Sequence, residues 1–225
     1  MPITGPVRGM ATNLRRNDNR DLPVALGDAN LAEIRAGSLP SLESDGVTVR
    51  GLRREDAESF FTHFTQEPVT RFLMPPPASV ERFTRFIDWA LTQQEAGRQL
   101  CFALVPGQTE AAAAGLIQVR QLEPGFAVAE WGFAVGQPFW GTGLFLTGAK
   151  LVLSFLFETV GVRRLEARTV VSNARANRVL EKLGATQEGI LREGFSSNGR
   201  CYDQFLWAIL ADEWNPTRVI TPQVH

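Results

Sequence analysis

The sequence predicts an α/β (α+β) domain built on a single mixed sheet. Two observations carry this. The elements run β-α-α-β-β-β-α-β-α-β-β, which joins antiparallel meanders to one β-α-β passage. Apolar residues make up 44% of the 225 and charged residues 21%, enough apolar mass for one substantial core.

The elements follow from local pattern. The first forty residues are mixed and polar, and only "LGDANLAEIRAG" has the makings of a short helix, so 1–44 reads as an extension. "GVTVRGLR" alternates at Val47, Val49 and Leu52 and predicts a strand. "REDAESFFTHFTQ" predicts a helix with acids in its first turn, where the helix dipole favours them. Three prolines in "MPPPASV" end it. After Ser79, Phe83, Phe86, Ile87 and Ala90 recur at helical spacing up to Gly97. "QLCFALVP", "AAGLIQVRQL" and "FAVAEWGFAV" predict three strands with short links. A glycine-rich stretch and an apolar helix over 144–157 follow. "RRLEARTVV" is a strand, and "NARANRVLEKLG" a short helix. "ATQEGILREGF" and "CYDQFLWAIL" close the domain at 214 as an antiparallel pair across "SSNG", leaving 215–225 as a tail.

Composition narrows the function classes. The net charge of −1 steers the chain toward neither nucleic acid nor an anionic membrane, although its cations are 21 Arg and only two Lys, Lys150 and Lys182. Cys101 and Cys201 are a hundred residues apart and the histidines are His63 and His225, so neither a disulfide framework nor a metal site is expected. His63 reads as an ordinary helix residue. No apolar signal segment opens the chain, and the expected location is the cytoplasm.

The chemistry concentrates in "GQPFWGTGLF", residues 136–145. A plain turn, a phosphate-binding loop and the mouth of a membrane helix all fit such a stretch. The helix behind it spans about fourteen residues, roughly 21 Å, short of the ~30 Å hydrocarbon core, which favours a buried helix. A strand running into glycines and then a helix is an anion site, because the first helical N–H groups have no internal partner. No Gly-Lys-Ser/Thr follows, and the third glycine of the dinucleotide fingerprint is missing.

The run from "EWGFAVGQPFWGTGLF" through "RTVVSNARANRVLEKLGATQEGILREG" to "GRCYDQFLWAIL", with "VTVRGLRREDAESF" and "EPVTRFLMPPP" upstream, resembles the GNAT superfamily of acetyl-CoA-dependent N-acyltransferases, most of all its RimJ/RimL-like branch. The resemblance covers about 46–214. It implies a mixed, mostly antiparallel sheet of about 6–7 strands, splayed at the acetyl-CoA site and flanked by about four helices. It implies acetyl-CoA as cosubstrate, no metal, and an amine acceptor, either a protein N-terminus or a small molecule, with the protein a monomer or homodimer.

Carried onto this chain, the family's pyrophosphate loop R/Q-x-x-G-x-G/A falls on Trp140, Gly141, Thr142, Gly143, Leu144 and Phe145, with Gly143 as the central glycine. Phe145 departs from the usual Gly or Ala, so its ring has to point away from the pyrophosphate or reshape the loop. The backbone of Phe133, Ala134 and Val135 is expected to pair with the pantetheine arm like an added strand, with the Val135 N–H meeting the oxyanion. Glu130 is the candidate base, since an alkyl ammonium of pKa ~10.4 must lose a proton before attack. The equal alternative is a structural Glu paired with an arginine. Glu193 is the second choice of base.

Asn173 faces the cofactor near the thioester in the family, and it is also a favoured N-cap. Asn177 joins the expected cofactor-binding set. Ala176 and Leu180 stand where relatives carry Ser and Tyr, so the usual side chains for protonating the thiolate are missing. Ser172 or water is then the expected substitute. Tyr202 and Asp203 match the branch's last strand and read as structural. The function expected is acetyl transfer to a primary amine by direct attack on the thioester. The alternative is an acyl-CoA-binding sensor or interaction module without efficient turnover.

Overall fold

The computed structural model describes residues 39–107, 111–197 and 199–217. The expected helix in "LGDANLAEIRAG" lies outside the described residues. The strands are β1 (Leu42–Ser44), β2 (Val47–Gly51), β3 (Gln99–Pro106), β4 (Gly115–Gln121), β5 (Val128–Val135), β6 (Arg164–Val170), β7 (Thr186–Ser197) and β8 (Arg200–Leu210). The α-helices among the described residues are α1 (Asp56–Phe64), α2 (Glu67–Thr70), α3 (Val80–Glu95), α4 (Leu144–Ser154) and α5 (Ala174–Lys182). One sheet takes all eight strands in the order β1-β2-β3-β4-β5-β6-β8-β7. Only β5 and β6 pair in parallel.

The expected architecture holds, with two additions that local pattern hides. Strand β1 is three residues long, too short to show alternation, and is fixed by a two-residue turn at Asp45 and Gly46, both at positive φ. It brings the sheet to eight strands rather than six or seven. Helix α2 is a single turn opened by Pro68, whose fixed φ suits a first helical position. The apolar helix also ends differently. Beyond Ser154 it widens into a π-helical turn, Phe155–Val160, closed by Gly161 at φ 83.

The sheet divides the core in two. On one face Leu100, Phe102 and Leu104 of β3 meet Ala149, Val152 and Leu153 of α4. On the other, Cys101, Ala103 and Val105 meet Phe60 of α1 and Phe83 and Ile87 of α3. This is why β3 is buried along nearly its whole length and shows no alternation. Helix α4 lies so close that a Cβ on Gly148 would stand 2.6 Å from Leu104 Cδ2. None of the buried members of the second cluster lies on β6, β7 or β8.

A buried ion pair ties β2 to α1. Arg50 donates to both Asp56 oxygens, at 2.8 and 2.7 Å, and the two side chains are 7% and 2% exposed. The Arg53 N–H also donates to Asp56 Oδ2 at 2.8 Å.

Candidate active site

Strands β5 and β6 pair only from Val128↔Arg164 to Trp131↔Ala167. Beyond that seam β5 stays on β4 as far as Val135↔Gly115, and β6 stays on β8 as far as Val170↔Gln204. Residues 132–135 and 168–170 are thus two arms of a splay. A cleft of about 310 Å³ opens there, with Phe133, Ala134 and Val135 on its β5 side and Asn173 and Ala176 of α5 on the other.

The glycine loop sits at the mouth. Gly141 (φ 78) and Gly143 (φ 90) adopt left-handed conformations, and Gly143 leads directly into α4. The first-turn N–H groups of a helix have no partner inside it, so they and the dipole form an anion-binding end. Thr142 braces the loop, its hydroxyl donating to the Phe139 carbonyl at 2.8 Å and accepting from the Leu144 N–H at 3.4 Å. Trp140 donates from Nε1 to the Val135 carbonyl at 2.9 Å, and the Arg175 guanidinium lies over its ring at 3.4 Å. Trp140, Gly141, Gly143 and Phe145 line the cleft, whereas Leu144 turns its side chain into the core.

The ring of Phe145 leaves the loop. It packs 4.3 Å from Phe133 and 6.3 Å from Trp131, on the α4 side of β5. The large side chain thus widens the apolar wall of the cleft without entering the glycine turn.

Asn173 caps α5, Oδ1 accepting from the Ala176 N–H at 3.3 Å, and also lines the cleft. Both expected roles are compatible with one side chain. Asn177 is placed differently. It is 8% exposed, its Oδ1 accepts from the Thr169 hydroxyl, and its Nδ2 donates to the carbonyls of Val170 and Val171. It latches α5 to the end of β6 and is not among the residues lining the cleft. Leu180 is fully buried.

An acetyltransferase (GNAT) domain model matches residues 47–186. The chain belongs to the GNAT family. It is an N-acetyltransferase by that membership. The uncharacterized N-acetyltransferase YoaA of Bacillus subtilis (strain 168) is 27% identical over 172 residues, 76% of this chain and 97% of the relative. The ribosomal protein uS5-alanine N-acetyltransferase of Escherichia coli (strain K12) is 26% identical over 87 residues, 39% of this chain and 45% of that one. The structure of Mycobacterium smegmatis RimJ in complex with CoA-disulfide shares the fold at a TM-score of 0.70 and 20% identity, over 79% of this chain and 88% of that one.

Within the GNAT frame, the base candidate Glu130 lies beside the seam, on the sheet face opposite α4. Arg120 Nη2 donates to its Oε2 at 2.6 Å, and Arg168 Nε stands 3.8 Å from its Oε1. Glu193 sits at φ 52 in a bulge of β7, exposed, its N–H donating to Asp203 Oδ1 at 2.8 Å. Tyr202 packs 6.2 Å from Phe195. Asp203 and Tyr202 thus shape the β7–β8 hairpin.

Several cleft residues went unnamed in the sequence reading: Pro68, Val69, Phe72 and Leu73 around α2, and the cations Arg175 and Lys182 of α5. Arg175 leaves a trace in the sequence, because a cation in the first turn of a helix opposes the dipole and needs another reason to be there. His63 also gains a context. Its ring meets Phe139 edge-on at 5.4 Å, and a Cβ on Gly136 would stand 2.8 Å from its Cγ. It packs on the turn that leads into the loop.

Burial pushes the His63 imidazole below its usual 6.5. The unfolded chain then takes up more protons than the folded one as pH falls below 6.5. This contribution to stability is fully present above 6.5 and is lost on acidification. Tm should drop as the pH falls below 6.5, and His63→Gln should flatten that drop in thermal melts. Gly143→Val should weaken acetyl-CoA binding roughly tenfold in calorimetry, since the left-handed conformation costs about 1–2 kcal/mol for a side chain with a Cβ. The loop would relax out of its turn instead.

Among the described residues, no group of three His, Cys, Asp or Glu is placed to hold a metal, and no helix is long and apolar enough to cross a membrane.

Proposed function

We propose that the chain transfers the acetyl group of acetyl-CoA to a primary amine, by direct attack of the amine on the thioester. The observation that carries this reading is the splay between β5 and β6 with a left-handed glycine loop at its mouth. The residues present fit the cosubstrate. The first-turn N–H groups of α4, which have no partner within the helix, suit a diphosphate, with Arg175 and Lys182 on the cleft wall to add positive charge. The apolar surface of Phe133, Phe145 and Val179 suits a pantetheine arm.

In this reading the amine nitrogen attacks the thioester carbonyl, and the oxyanion is met by the Val135 N–H. The C–N bond forms, the C–S bond breaks, and the sulfur leaves as thiolate. Glu130 accepts the amine proton directly or through water. The thiolate is protonated by water or Ser172, since Ala176 and Leu180 carry no acid. We place this activity in residues 45–214 and in the cytoplasm. The uS5-alanine relative supports a protein N-terminus as one acceptor class. The absence of an acid at Ala176 supports the second reading, an acyl-CoA-binding module with little turnover.

Calorimetry with acetyl-CoA followed by thiol release across a panel of amines and peptides separates the two. Saturable binding with release of one thiol per acetylated amine supports the transferase. Binding with no release on any amine supports the module, and no binding of any short acyl-CoA overturns both.

A further inference from the structure

At the seam of the splay one guanidinium, that of Arg168, has no carboxylate at hydrogen-bond distance among the described residues. Arg120, Glu130 and Arg168 lie on the same sheet face, the one opposite α4. Glu130 is 19% exposed, whereas Arg120 and Arg168 are 60% and 42% exposed. Arg120 holds the carboxylate at 2.6 Å. At 3.8 Å from Glu130, Arg168 is beyond hydrogen-bond distance, and it makes no hydrogen bond among the described residues. Glu166 and Glu188 pair with Arg164, at 2.8 and 2.5 Å, and neither lies within 4.0 Å of the Arg168 guanidinium.

Among the described residues, the floor beside this group is open. Gly132 is the next residue of β5 on the same face, just past the last paired rung. It is exposed, and a Cβ built on it would meet nothing within 4 Å. An open floor, a carboxylate and a guanidinium that makes no hydrogen bond among the described residues therefore meet beside Glu130, the proposed base, next to the cleft lining and not within it.

We propose that Arg168 is a specificity residue that binds a carboxylate on the acceptor, so that the acceptor is an amine bearing a nearby carboxylate. The inference rests on the acetyl-transfer reading and names its acceptor class. The ammonium end lies toward Glu130 and the carboxylate takes the guanidinium fork, a charge-assisted and geometrically selective contact. The short span from Glu130 to Arg168 suits an amine and a carboxylate separated by one carbon, as in an α-amino acid.

The test compares L-amino acids with their C-terminal amides as acceptors. It adds the dipeptide pair Ala-Asp amide and Ala-Asn amide to separate an α-carboxylate from a side-chain carboxylate. Thiol release gives kcat/KM, and calorimetry gives acceptor binding to the CoA-loaded protein. The carboxylate-bearing member of a pair should be favoured about tenfold. The amide amine is the less basic one and is more fully deprotonated at neutral pH, so a preference for the acid runs against intrinsic reactivity. Arg168→Gln should erase the preference while leaving the Kd for acetyl-CoA unchanged. Its exposed side chain makes misfolding an unsuitable explanation for that loss.

Equal or better use of the amides, or a preference that survives in Arg168→Gln, overturns the inference. If acetyl-CoA binds but no amine turns over, the calorimetric arm decides: binding of the acids alone supports the carboxylate site, and binding of neither overturns it. Failure of acetyl-CoA to bind overturns the transferase reading instead, while the same acceptor titration against the free protein still reads the Arg168 site.

Discussion

Glu130→Gln is expected to lower kcat/KM for acetyl transfer by about a hundredfold or more while leaving the Kd for acetyl-CoA within about twofold. The substitution keeps size and hydrogen-bonding capacity but removes the charge that accepts the amine proton in the proposed mechanism. It also leaves Arg120 and Arg168 facing a neutral amide, which weakens the hold on a cationic acceptor. Rate profiles against pH separate these effects. Loss of a base removes the rising limb of kcat/KM, whereas loss of acceptor binding raises KM and preserves the shape of the profile. A rate unchanged across the pH range would take the base role from Glu130 and leave it as the structural partner of two arginines.

The second large effect is on stability. Asp56→Ala should cost about 3–5 kcal/mol in urea denaturation, because it takes from the Arg50 guanidinium, in a nearly dry site, the carboxylate that accepts two of its hydrogen bonds. The 7% and 2% exposures of the two side chains make this the buried pair of the domain's first half. Two further losses add to it. The Arg53 N–H loses its acceptor, and α1 loses a carboxylate in its first turn. Replacing both partners together, Arg50→Met with Asp56→Leu, should recover most of the loss, since the buried guanidinium then goes with its carboxylate. A double variant as weak as the single one would show that the helix start, and not the broken ion pair, sets the cost.

Much of the fold was legible because the strands and helices follow one period each. β5, α3 and α5 stand where alternation, Ser79 and Asn173 place them. β1 and α2 were not legible, because three or four residues cannot display a period. Within the site, the loop was readable from its glycines. The direction of the Phe145 ring was not, as it is set by Phe133 and Trp131 on another strand. Asn177 shows a signal that went unused. It stands three residues before the fully buried Leu180, so helical phase already turned it toward the core. The splay itself is a matter of register. No residue type announces that β5 and β6 stop pairing after Trp131.

The contact between Trp140 and Arg175 changes what kind of opening the cleft is. One follows β5 and the other follows β6, so together with the seam they close the two arms into a ring. At the bottom the ring is joined by backbone hydrogen bonds. At the top a clasp of one guanidinium on one indole joins it, worth about 0.5–2 kcal/mol. A clasp that weak comes undone thermally and often. A phosphate chain that draws Arg175 off the indole would unfasten it on arrival, so a long thin ligand can be laid in from the side and need not be threaded.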